Sequence, residues 1–361
     1  MVNTVETTRP PARVPSAARA SRWLSTARRP AIVLGITGGI VGWLGSWNPS
    51  YWGDEAASVM SAERPLGSLI GELGRVDAVH GLYYLFLHFW IMPFGTSELS
   101  TRFPSAVAVG LLVAGIVVLG YRLSGTRLGI TAGLIAIALP RITYMATEAR
   151  SYAMATAAAV WISILFVRLW RARTIRRREV VLYGIAIGLS AYLFLYLALL
   201  GLVHAAVVLL SREGRRRWRT WLLAVPPAVL VAAPIAVLAY GERQQVAFLA
   251  QRGYATAGNV LVKQWFGTDP FAALCWALIA VAVLVAAFRL ARHRAVPDRR
   301  ASLLAVCWLV VPTAAILIGD RISPMYNIRY LSFAAPAAAL LVALGAIRIG
   351  EFALAAVRGG P

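Results

Sequence analysis

The sequence predicts an all-α polytopic membrane protein, and three observations support this prediction. Hydrophobic residues make up 59% of the 361 residues, charged residues make up 14%, and the mean hydropathy is +0.69. A soluble domain carries about 25% charged residues. Apolar segments of membrane-spanning length recur along the chain. The stretches between them do not alternate with the period of two that marks a transmembrane β-strand.

Each predicted helix corresponds to one apolar segment. Because one crossing takes about 20 apolar residues, the segment 179–210 predicts two short helices that meet near Phe194 to Tyr196. With this pair, we expect about 10–11 transmembrane helices. The apolar segments are residues 31–47, 80–94, 104–121, 128–146, 151–169, 179–210, 221–240, 270–289, 301–319 and 328–349.

The chain ends lie outside the predicted bundle. Residues 1–30 are rich in Pro, Ala, Arg and Thr, which predicts a disordered basic cytoplasmic tail without a cleavable signal peptide. Residues 31–350 form the predicted membrane module, and residues 351–361 form a short C-terminal tail. Cys275 and Cys307 lie inside apolar segments and are predicted to be small core residues.

The formal net charge of +21 indicates a membrane orientation and not nucleic-acid binding. The arginines cluster in blocks between apolar segments, as in the cytoplasmic loops of membrane proteins. No aromatic-basic groove or nucleic-acid motif accompanies them. We therefore expect a multi-pass protein of the plasma membrane with a cytoplasmic N-terminus. The outer regions are then residues 48–79, 148–150, 241–269 and 320–328.

One part of this topology is inconsistent. The segments 80–94, 104–121 and 128–146 separate two regions that both belong outside, whereas three full crossings would place them on opposite sides. One of these segments is therefore expected to be re-entrant, or short and tilted along the interface. The segment 80–94 is the shortest.

Two of the outer regions are long. Apolar residues between Ser58 and Gly74 are spaced as in a juxtamembrane amphipathic helix that lies on the membrane surface. The region 241–269 is rich in Gly and Gln, and it contains Trp265 and Phe266. Its composition fits a mobile lid or a sugar-contacting loop, and it equally fits an ordinary solvated loop.

Asp54 and Glu55 are the first candidates for catalysis. They are adjacent carboxylates near the end of the first apolar segment, in a chain with only 15 acidic residues. Carboxylates near a bilayer mark substrate paths or reaction centres. A partly dry carboxylate with a raised pKa can act as a general base. The alternative is a solvated pair that marks the end of a helix.

Glu148 and Arg150 are the second candidates. They lie between two apolar segments with almost no linker, where an unpaired charge is costly. They therefore either form a structural ion pair that joins two helices or face the same cavity as Asp54. His80 opens an apolar segment beside Asp77, which fits either a polar pocket or a capping residue.

Arg329 and Tyr330 follow a short polar loop and begin the last apolar segment. The planar guanidinium of arginine matches the oxygens of a phosphate. The alternative is an arginine that anchors the helix at the membrane interface beside a tyrosine. No nucleotide-binding motif is present, so energy for a reaction must come from an activated substrate or a gradient.

Taken in order, these motifs resemble those of the glycosyltransferase-C superfamily. The resemblance is greatest to the branch of protein O-mannosyltransferases and lipid A aminoarabinose transferases. It extends over residues of about 30–350 and is densest over 45–155. The motifs are Tyr51-Trp52-Gly53-Asp54-Glu55-Ala56, His80-Gly81-Leu82-Tyr83-Tyr84, the stretch from Gly95 to Ala106, Glu148-Ala149-Arg150-Ser151-Tyr152-Ala153, and Arg329-Tyr330.

The resemblance implies inverting transfer of a sugar, of the mannose or arabinose type, from a polyprenyl-phosphate donor. The acceptor would be an extracytoplasmic glycan, lipid or protein. Asp54 would be the general base, and Glu55 would orient the acceptor or the neighbouring helix. The remaining residues would bind the substrate and the donor phosphate, with the two arginines stabilising the leaving polyprenyl phosphate; they are His80, Glu148, Arg150, Tyr152, Arg329 and Tyr330.

The sequence also departs from the pattern of this superfamily. Many members carry a soluble C-terminal domain that is not expected here, and prolines are common where this chain has His80 and Gly81. No cofactor is expected, and a divalent metal is not expected because no second pair of acidic ligands is visible. Two other functions stay open, namely a transporter or flippase of lipid-linked sugars and a non-catalytic protein of envelope assembly.

Overall fold

The computed structural model describes residues 16–296 and 298–359, without the side chains of residues 16–25, 246 and 250. Within this part of the chain all regular secondary structure is helical. The α-helices are α1 (Ser16–Trp43), α2 (Gly53–Ala62), α3 (Leu66–Leu73), α4 (Gly81–Phe94), α5 (Glu98–Ser124), α6 (Thr126–Ala138), α7 (Pro140–Ala146), α8 (Tyr152–Arg171), α9 (Arg177–Leu193), α10 (Leu199–Leu210), α11 (Arg212–Arg215), α12 (Trp218–Trp221), α13 (Val225–Gly241), α14 (Asp269–Ala291), α15 (Arg299–Asp320) and α16 (Ala335–Val357).

Six described helices are long and apolar enough to cross a membrane, and the bent pair α6–α7 makes a seventh candidate. These six are Glu98–Ser124, Tyr152–Arg171, Trp218–Gly241, Asp269–Ala291, Arg299–Asp320 and Ser332–Val357. Length and apolarity together thus give fewer spans than the predicted 10–11, since segments such as 80–94 and 179–210 form shorter helices. The prediction of an all-α multi-pass membrane protein is confirmed.

Helix α4 removes the inconsistency in the predicted topology. Just before α4, His80 contacts Arg150, whose guanidinium also binds the backbone of Asp54. Just after α4, the Tyr51 hydroxyl donates to the carbonyl oxygen of Thr96. Both ends of this 14-residue helix therefore lie on the same face of the bundle, and α4 does not cross it. We call this surface the Asp54 face.

The segment 179–210 forms two helices, as predicted. Helix α9 ends at Leu193, and the next helical stretch runs from Leu195 to Leu210. The turn between them lies at the Asp54 face, since Phe194 packs edge-to-face on Tyr152 and Tyr330.

Glycines allow α9 to pack closely against α13. A Cβ atom on Gly184 would lie 2.3 Å from the carbonyl oxygen of Ala224, and one on Gly188 would lie 2.8 Å from that of Ala228. Small residues of this spacing let membrane helices approach at backbone distance. Other protein segments cover little of α13. Only 11% of the most apolar part of Trp218–Gly241 is buried.

The main core is centred on α5, α8 and α16, whose inward faces are rich in Ala, Val and Leu. Cys275 and Cys307 are buried in this core, as predicted. Trp265 and Phe266 are also buried in it. The 241–269 region is therefore anchored to the bundle, and it contains a 3-10 helix over Arg243–Gln251 and a π-helical turn over Asn259–Lys263.

Three predicted boundaries differ from the structure. Residues 1–15 of the predicted disordered tail lie outside the described residues, and from Ser16 the chain is helical because it is rich in helix-forming Ala, Arg and Leu. Helix α16 continues into the predicted C-terminal tail as far as Val357. The predicted surface helix over 58–74 is present as α2 and α3, which are separated at Pro65 because proline cannot donate within a helix.

Candidate active site

Asp54 and Glu55 lie in the first turn of α2, where the helix dipole favours negative charge. Trp52 precedes the helix in an extended conformation, so the chain turns sharply into α2. The two carboxylates point in different directions. The side chain of Asp54 is 44% exposed, whereas that of Glu55 is fully buried.

Glu55 forms a bidentate ion pair with Arg102 of α5. The Nε and Nη2 atoms of Arg102 lie 2.7 and 2.5 Å from the two Glu55 oxygens. The backbone N–H of Ala149 donates to Glu55 as well, at 2.7 Å. Glu55 therefore has no free side to present to a substrate. Of the two roles expected for Glu55, this geometry fits the orientation of a neighbouring helix, because Glu55 holds α2 against the loop before α8.

Arg102 also fixes the segment that leads into α2. Its Nη1 atom donates to the carbonyl oxygens of Ser46 and Pro49, and its Nη2 atom donates to that of Ser50. Sequence analysis placed Arg102 in a motif but did not identify it as a partner of Glu55. A charged residue just before an apolar segment gives no indication of which distant carboxylate it binds.

Arg329 joins the two remaining carboxylates. Its Nη1 atom lies 3.4 Å from Asp54 Oδ2 and 3.6 Å from Glu148 Oε1. Its guanidinium carbon lies 4.1 Å from the ring centre of Trp52, a distance typical of a cation–π contact. The structure thus brings together Asp54, Glu148 and Arg329, which belong to three distant parts of the sequence.

Glu148 is a buried carboxylate without a hydrogen-bond partner among the described residues. Only 2% of the residue is exposed, and neither side-chain oxygen has a hydrogen-bond partner among the described residues, although Oε1 is paired electrostatically with Arg329. Burial raises the pKa of Glu148 to about 7, although the positive charge of Arg329 acts in the opposite direction. Glu148 can therefore exchange a proton near neutral pH, which is the range in which a general acid or base is effective.

This pKa predicts a pH-dependent stability that Glu148→Gln abolishes. The folded protein holds the Glu148 proton more tightly than the unfolded chain, so this carboxyl stabilises the fold below pH 4.5 and loses that effect as the pH rises through about 7. Glu148→Gln cannot ionise and should be more stable than wild type at pH 8 by on the order of 3 kcal/mol. The difference should vanish at about pH 4.

Thermal unfolding of detergent-solubilised protein between about pH 4 and pH 8 measures this effect. Glu63→Gln, at an exposed carboxylate beside the end of α2, is the control and should follow the wild-type curve. Parallel curves for wild type and Glu148→Gln would contradict the raised pKa.

Both terminal nitrogens of the Arg150 guanidinium bind protein groups, whereas its buried Nε has no hydrogen-bond partner among the described residues. Its Nη1 atom donates to the Asp54 carbonyl oxygen, the Ser58 hydroxyl and the Tyr84 hydroxyl, and its Nη2 atom donates to His80 Nε2 at 2.9 Å. Since arginine only donates hydrogen bonds, Nε2 of His80 is the acceptor. Burial, together with the Arg150 charge, lowers the pKa of His80. His80 is therefore neutral.

These contacts show that the Arg150 guanidinium holds the first turn of α2. The role of Arg150 at a donor phosphate stays a prediction. The hydrogen-bond network extends beyond Arg150, because the Tyr84 hydroxyl donates to Asp77. The 241–269 region binds the backbone at Asp77 and Ala78. The Asp77 N–H donates to Gln245 and the Ala78 N–H donates to Glu242.

Tyr152 and Tyr330 lie in an aromatic cluster next to the charged residues. Tyr152 packs edge-to-face on Phe194 at 5.5 Å, and Tyr330 lies 5.5 Å from Tyr196. Both tyrosines are thus close to Glu148 and Arg329 in the chain and in space.

A cavity of about 410 Å³ opens beside Arg329. Two further cations line it in addition to Arg329, and we call it the cationic cavity. Arg141 was missed in the sequence, although a charge inside the apolar segment 128–146 is itself an indication of function. The lining residues are Trp52, Pro140, Arg141, Tyr144, Lys263, Gly267, Ile328 and Arg329.

An apolar groove of about 390 Å³ lies between α9, α10 and α13. At one end it is lined by Ala198 and Ala232. Ala232 packs against the small cluster of Ala78, Ala191 and Ile235, and Ala78 precedes His80 by two residues. The groove therefore comes close to the site near His80, and Ala198 in its lining follows Tyr196, whose ring lies 5.5 Å from that of Tyr330.

Among the described residues, no three His, Cys, Asp or Glu side chains converge in a way that would hold a metal ion. His204, deep in the bundle, has a partner for each ring nitrogen. Its Nδ1 contacts the Tyr183 hydroxyl at 2.7 Å, and its Nε2 contacts the Ser163 hydroxyl at 3.1 Å. His204 is therefore a satisfied core residue, as expected for a buried polar group.

Comparison with known proteins yields matches to solved structures. Neither a protein-family model nor a curated protein matches the sequence. The chain is similar to ArnT from Cupriavidus metallidurans in the apo state, with 17% identity and a TM-score of 0.56. It is also similar to the same ArnT bound to undecaprenyl phosphate, with 17% identity and a TM-score of 0.54.

A third similar structure is the Archaeoglobus fulgidus oligosaccharyltransferase tethered with an acceptor peptide, with 10% identity and a TM-score of 0.53. The matches cover 94%, 90% and 92% of this chain. They cover 64%, 63% and 50% of the solved chains, so this chain spans less than two-thirds of their length. The similarity confirms that the chain has a fold of the glycosyltransferase-C type.

Proposed function

We propose that the protein is an integral membrane glycosyltransferase that moves a sugar from a polyprenyl-phosphate donor to an acceptor hydroxyl. One observation carries this proposal. In a membrane fold of the glycosyltransferase-C type, a half-exposed carboxylate, Asp54, is paired with Arg329 next to the protonatable Glu148. This arrangement provides a base, a cation for a phosphate and a second carboxyl within one site.

The proposed reaction is a single inverting displacement. Asp54 takes the proton of the acceptor hydroxyl as its oxygen bonds to the anomeric carbon. The bond between that carbon and the phosphate oxygen breaks at the same time, and polyprenyl phosphate leaves with the bonding electrons. Arg329 stabilises the charge that develops on the phosphate, because it is already oriented by Trp52 and the two carboxylates.

The apolar groove supports the identity of the donor. Its lining is almost entirely hydrocarbon, and it ends near His80, so an isoprenoid chain in the groove would place its phosphate close to the site. One of the similar solved structures is bound to undecaprenyl phosphate. The proposed donor sugar is of the mannose or arabinose type, and the acceptor is a glycan, lipid or protein.

The site is proposed to face the outside of the plasma membrane, and the arginine-rich loops are proposed to face the cytoplasm. A transporter or flippase is the second candidate. It would place ionisable groups at mid-membrane on several helices, whereas the paired carboxylates and arginines of this site gather at the Asp54 face. We therefore favour the enzyme.

Transfer in proteoliposomes tests the proposal. The purified protein is supplied with radiolabelled polyprenyl-phosphate mannose or arabinose and with envelope extract as a source of acceptor. Release of polyprenyl phosphate together with labelled product is the expected result. Movement of intact labelled donor across the bilayer without cleavage would instead identify a flippase.

A further inference from the structure

Arginines gather at the end of the bundle opposite the Asp54 face. Arg168 follows Tyr152 by 16 residues along α8, which is about 24 Å of helix and close to the roughly 30 Å of a bilayer hydrocarbon core. A cavity of about 430 Å³ opens there, between the end of α8 and the beginning of α9. We call it the basic pocket. Its charged lining residues are Arg168, Arg176, Arg178 and Glu179.

The basic pocket carries more positive charge than its own carboxylate neutralises. Glu179 is the one acidic residue of its lining, and its Oε1 lies 3.6 Å from Arg168. Its Oε2 accepts a hydrogen bond from the backbone N–H of Arg176. Among the residues that the structure describes, no carboxylate lies within 4.0 Å of a charged nitrogen of Arg176 or Arg178. A pocket with this charge excess favours an anionic occupant.

The neighbouring segment 212–219 adds further positive charge. It holds five arginines and one acidic residue, Glu213, which is already paired with Arg300 at 2.8 Å. Arg217 of this segment donates to the carbonyl oxygens of Ala172 and Arg173, and Ala172 lines the pocket. Both partners are neutral, so the charge of Arg217 adds to that of the pocket.

Exposed apolar residues lie on the same helix faces as these arginines, closer to the middle of the bundle. Trp161 precedes Arg168 by seven residues on α8, and Leu182 follows Arg178 by four on α9. Residues four or seven apart share one face of an α-helix. Trp161 is 45% exposed and Leu182 is 60% exposed. Each helix therefore leads from the basic pocket to an apolar surface about 6–11 Å deeper.

Helix α5 repeats this pattern beside α8. Leu111 is 53% exposed and precedes Arg122 by 11 residues, which again places both on one helix face. The indole N–H of Trp161 donates to the Leu111 carbonyl oxygen at 3.2 Å, and the charge of Arg168 repels that of Arg122. The apolar faces of α5 and α8 are therefore continuous, and both end in arginines.

We propose that an anionic phospholipid binds at this place, with its phosphate in the basic pocket and its acyl chains on the apolar faces of α5, α8 and α9. The phosphate accepts hydrogen bonds from Arg168, Arg176 and Arg178, whose planar groups match its oxygens. A soluble anion would leave the exposed apolar faces without a partner, and a neutral lipid would leave the arginines without a counter-ion. Basic pockets between membrane helices bind anionic headgroups in this way. The lipid site is separate from Asp54 and does not depend on the proposed reaction.

Native mass spectrometry of the full-length protein in an uncharged detergent tests the site. Phosphatidylglycerol and phosphatidylcholine with identical acyl chains are titrated in separate samples, so that the lipids differ only in their headgroup. One molecule of phosphatidylglycerol is expected to bind about tenfold more tightly than phosphatidylcholine. Equal affinities of the two lipids would overturn the anionic site.

A pair of double variants distinguishes the basic pocket from the overall charge of this end of the protein. Arg176→Gln/Arg178→Gln should lower the affinity for phosphatidylglycerol about tenfold. Arg215→Gln/Arg216→Gln removes the same charge at exposed positions of the neighbouring segment and should retain the wild-type affinity. Equal losses in the two double variants would show attraction by overall charge and would overturn the pocket.

Trp161 reports where the acyl chains lie. Phosphatidylglycerol with brominated chains is expected to quench the fluorescence of Trp161, which is obtained as the difference between wild type and Trp161→Phe. Brominated phosphatidylcholine at the same concentration is expected to leave it unchanged. A bound phosphatidylglycerol that does not quench Trp161 would overturn the placement of the chains.

Competition identifies the class of the occupant. Glycerol 3-phosphate and undecaprenyl phosphate, each at the concentration of the phospholipid, are expected to leave the phosphatidylglycerol complex intact. Displacement by glycerol 3-phosphate would assign the pocket to a soluble phosphate. Displacement by undecaprenyl phosphate would assign it to a polyprenyl lipid, and either result would overturn the phospholipid site.

Discussion

Asp54→Asn is expected to reduce sugar transfer about a thousandfold, since removal of a general base typically costs 10²–10⁴ in rate. Asparagine keeps the shape of the side chain and can still accept a hydrogen bond from Arg329. It cannot take up the proton of the acceptor hydroxyl. Release of polyprenyl phosphate from labelled donor in proteoliposomes measures the loss.

We expect Asp54→Asn to lose transfer activity without losing its fold. The Asp54 side chain is 44% exposed, so its replacement should leave expression and the thermal unfolding midpoint close to those of wild type. Glu63→Gln in the same surface region is the matched control and should keep full activity. Full transfer by Asp54→Asn would exclude Asp54 as the base and direct attention to Glu148.

Glu55→Gln is expected to destabilise the protein strongly, by about 3–5 kcal/mol, because it leaves the Arg102 charge buried without a partner. Both side chains of this pair are at most 2% exposed. The carbonyl oxygens that also bind Arg102 are neutral and cannot balance its charge. Thermal or urea unfolding in detergent, followed by tryptophan fluorescence, measures the change.

The matched control is Arg64→Gln, which removes a surface ion pair with Glu72. Exposed pairs contribute only about 0–1 kcal/mol, so this variant should unfold close to wild type. A positioning role for Glu55 also predicts that molecules which remain folded keep measurable transfer. A Glu55→Gln protein of normal stability without any transfer would restore Glu55 as a catalytic residue.

Much of the architecture was predictable because membrane helices are specified locally. Apolar length and arginine blocks identified the helical segments, and the excessive length of 179–210 correctly indicated two helices that meet near Phe194. The motif order also brought Asp54, Glu148 and Arg329 into one site. What was not predictable was the conformation of 80–94, because an apolar helix on the bundle face has the same composition as a short crossing.

The partners of the charged residues could not be predicted from the sequence either. Asp54 and Glu55 are adjacent and chemically similar, yet one is half-exposed and the other buried. The difference depends on Arg102, which lies 47 residues downstream of Glu55. Likewise, the sequence left Arg150 between a structural pairing and a phosphate, and it did not indicate the four protein groups that Arg150 binds. Pairings of this kind depend on three-dimensional packing, which a local pattern does not encode.

The partners of Glu55 also have a consequence for how the protein is made. Arg102 follows Glu55 by 47 residues, and the Ala149 N–H follows it by 94. Because a ribosome adds about 5–20 residues per second, the segment with Asp54 waits on the order of ten seconds for its last support. During the last part of this interval Glu55 can pair with Arg102 but lacks the Ala149 N–H. The segment with Asp54 therefore reaches its described contacts only after α5 to α7 have been synthesised.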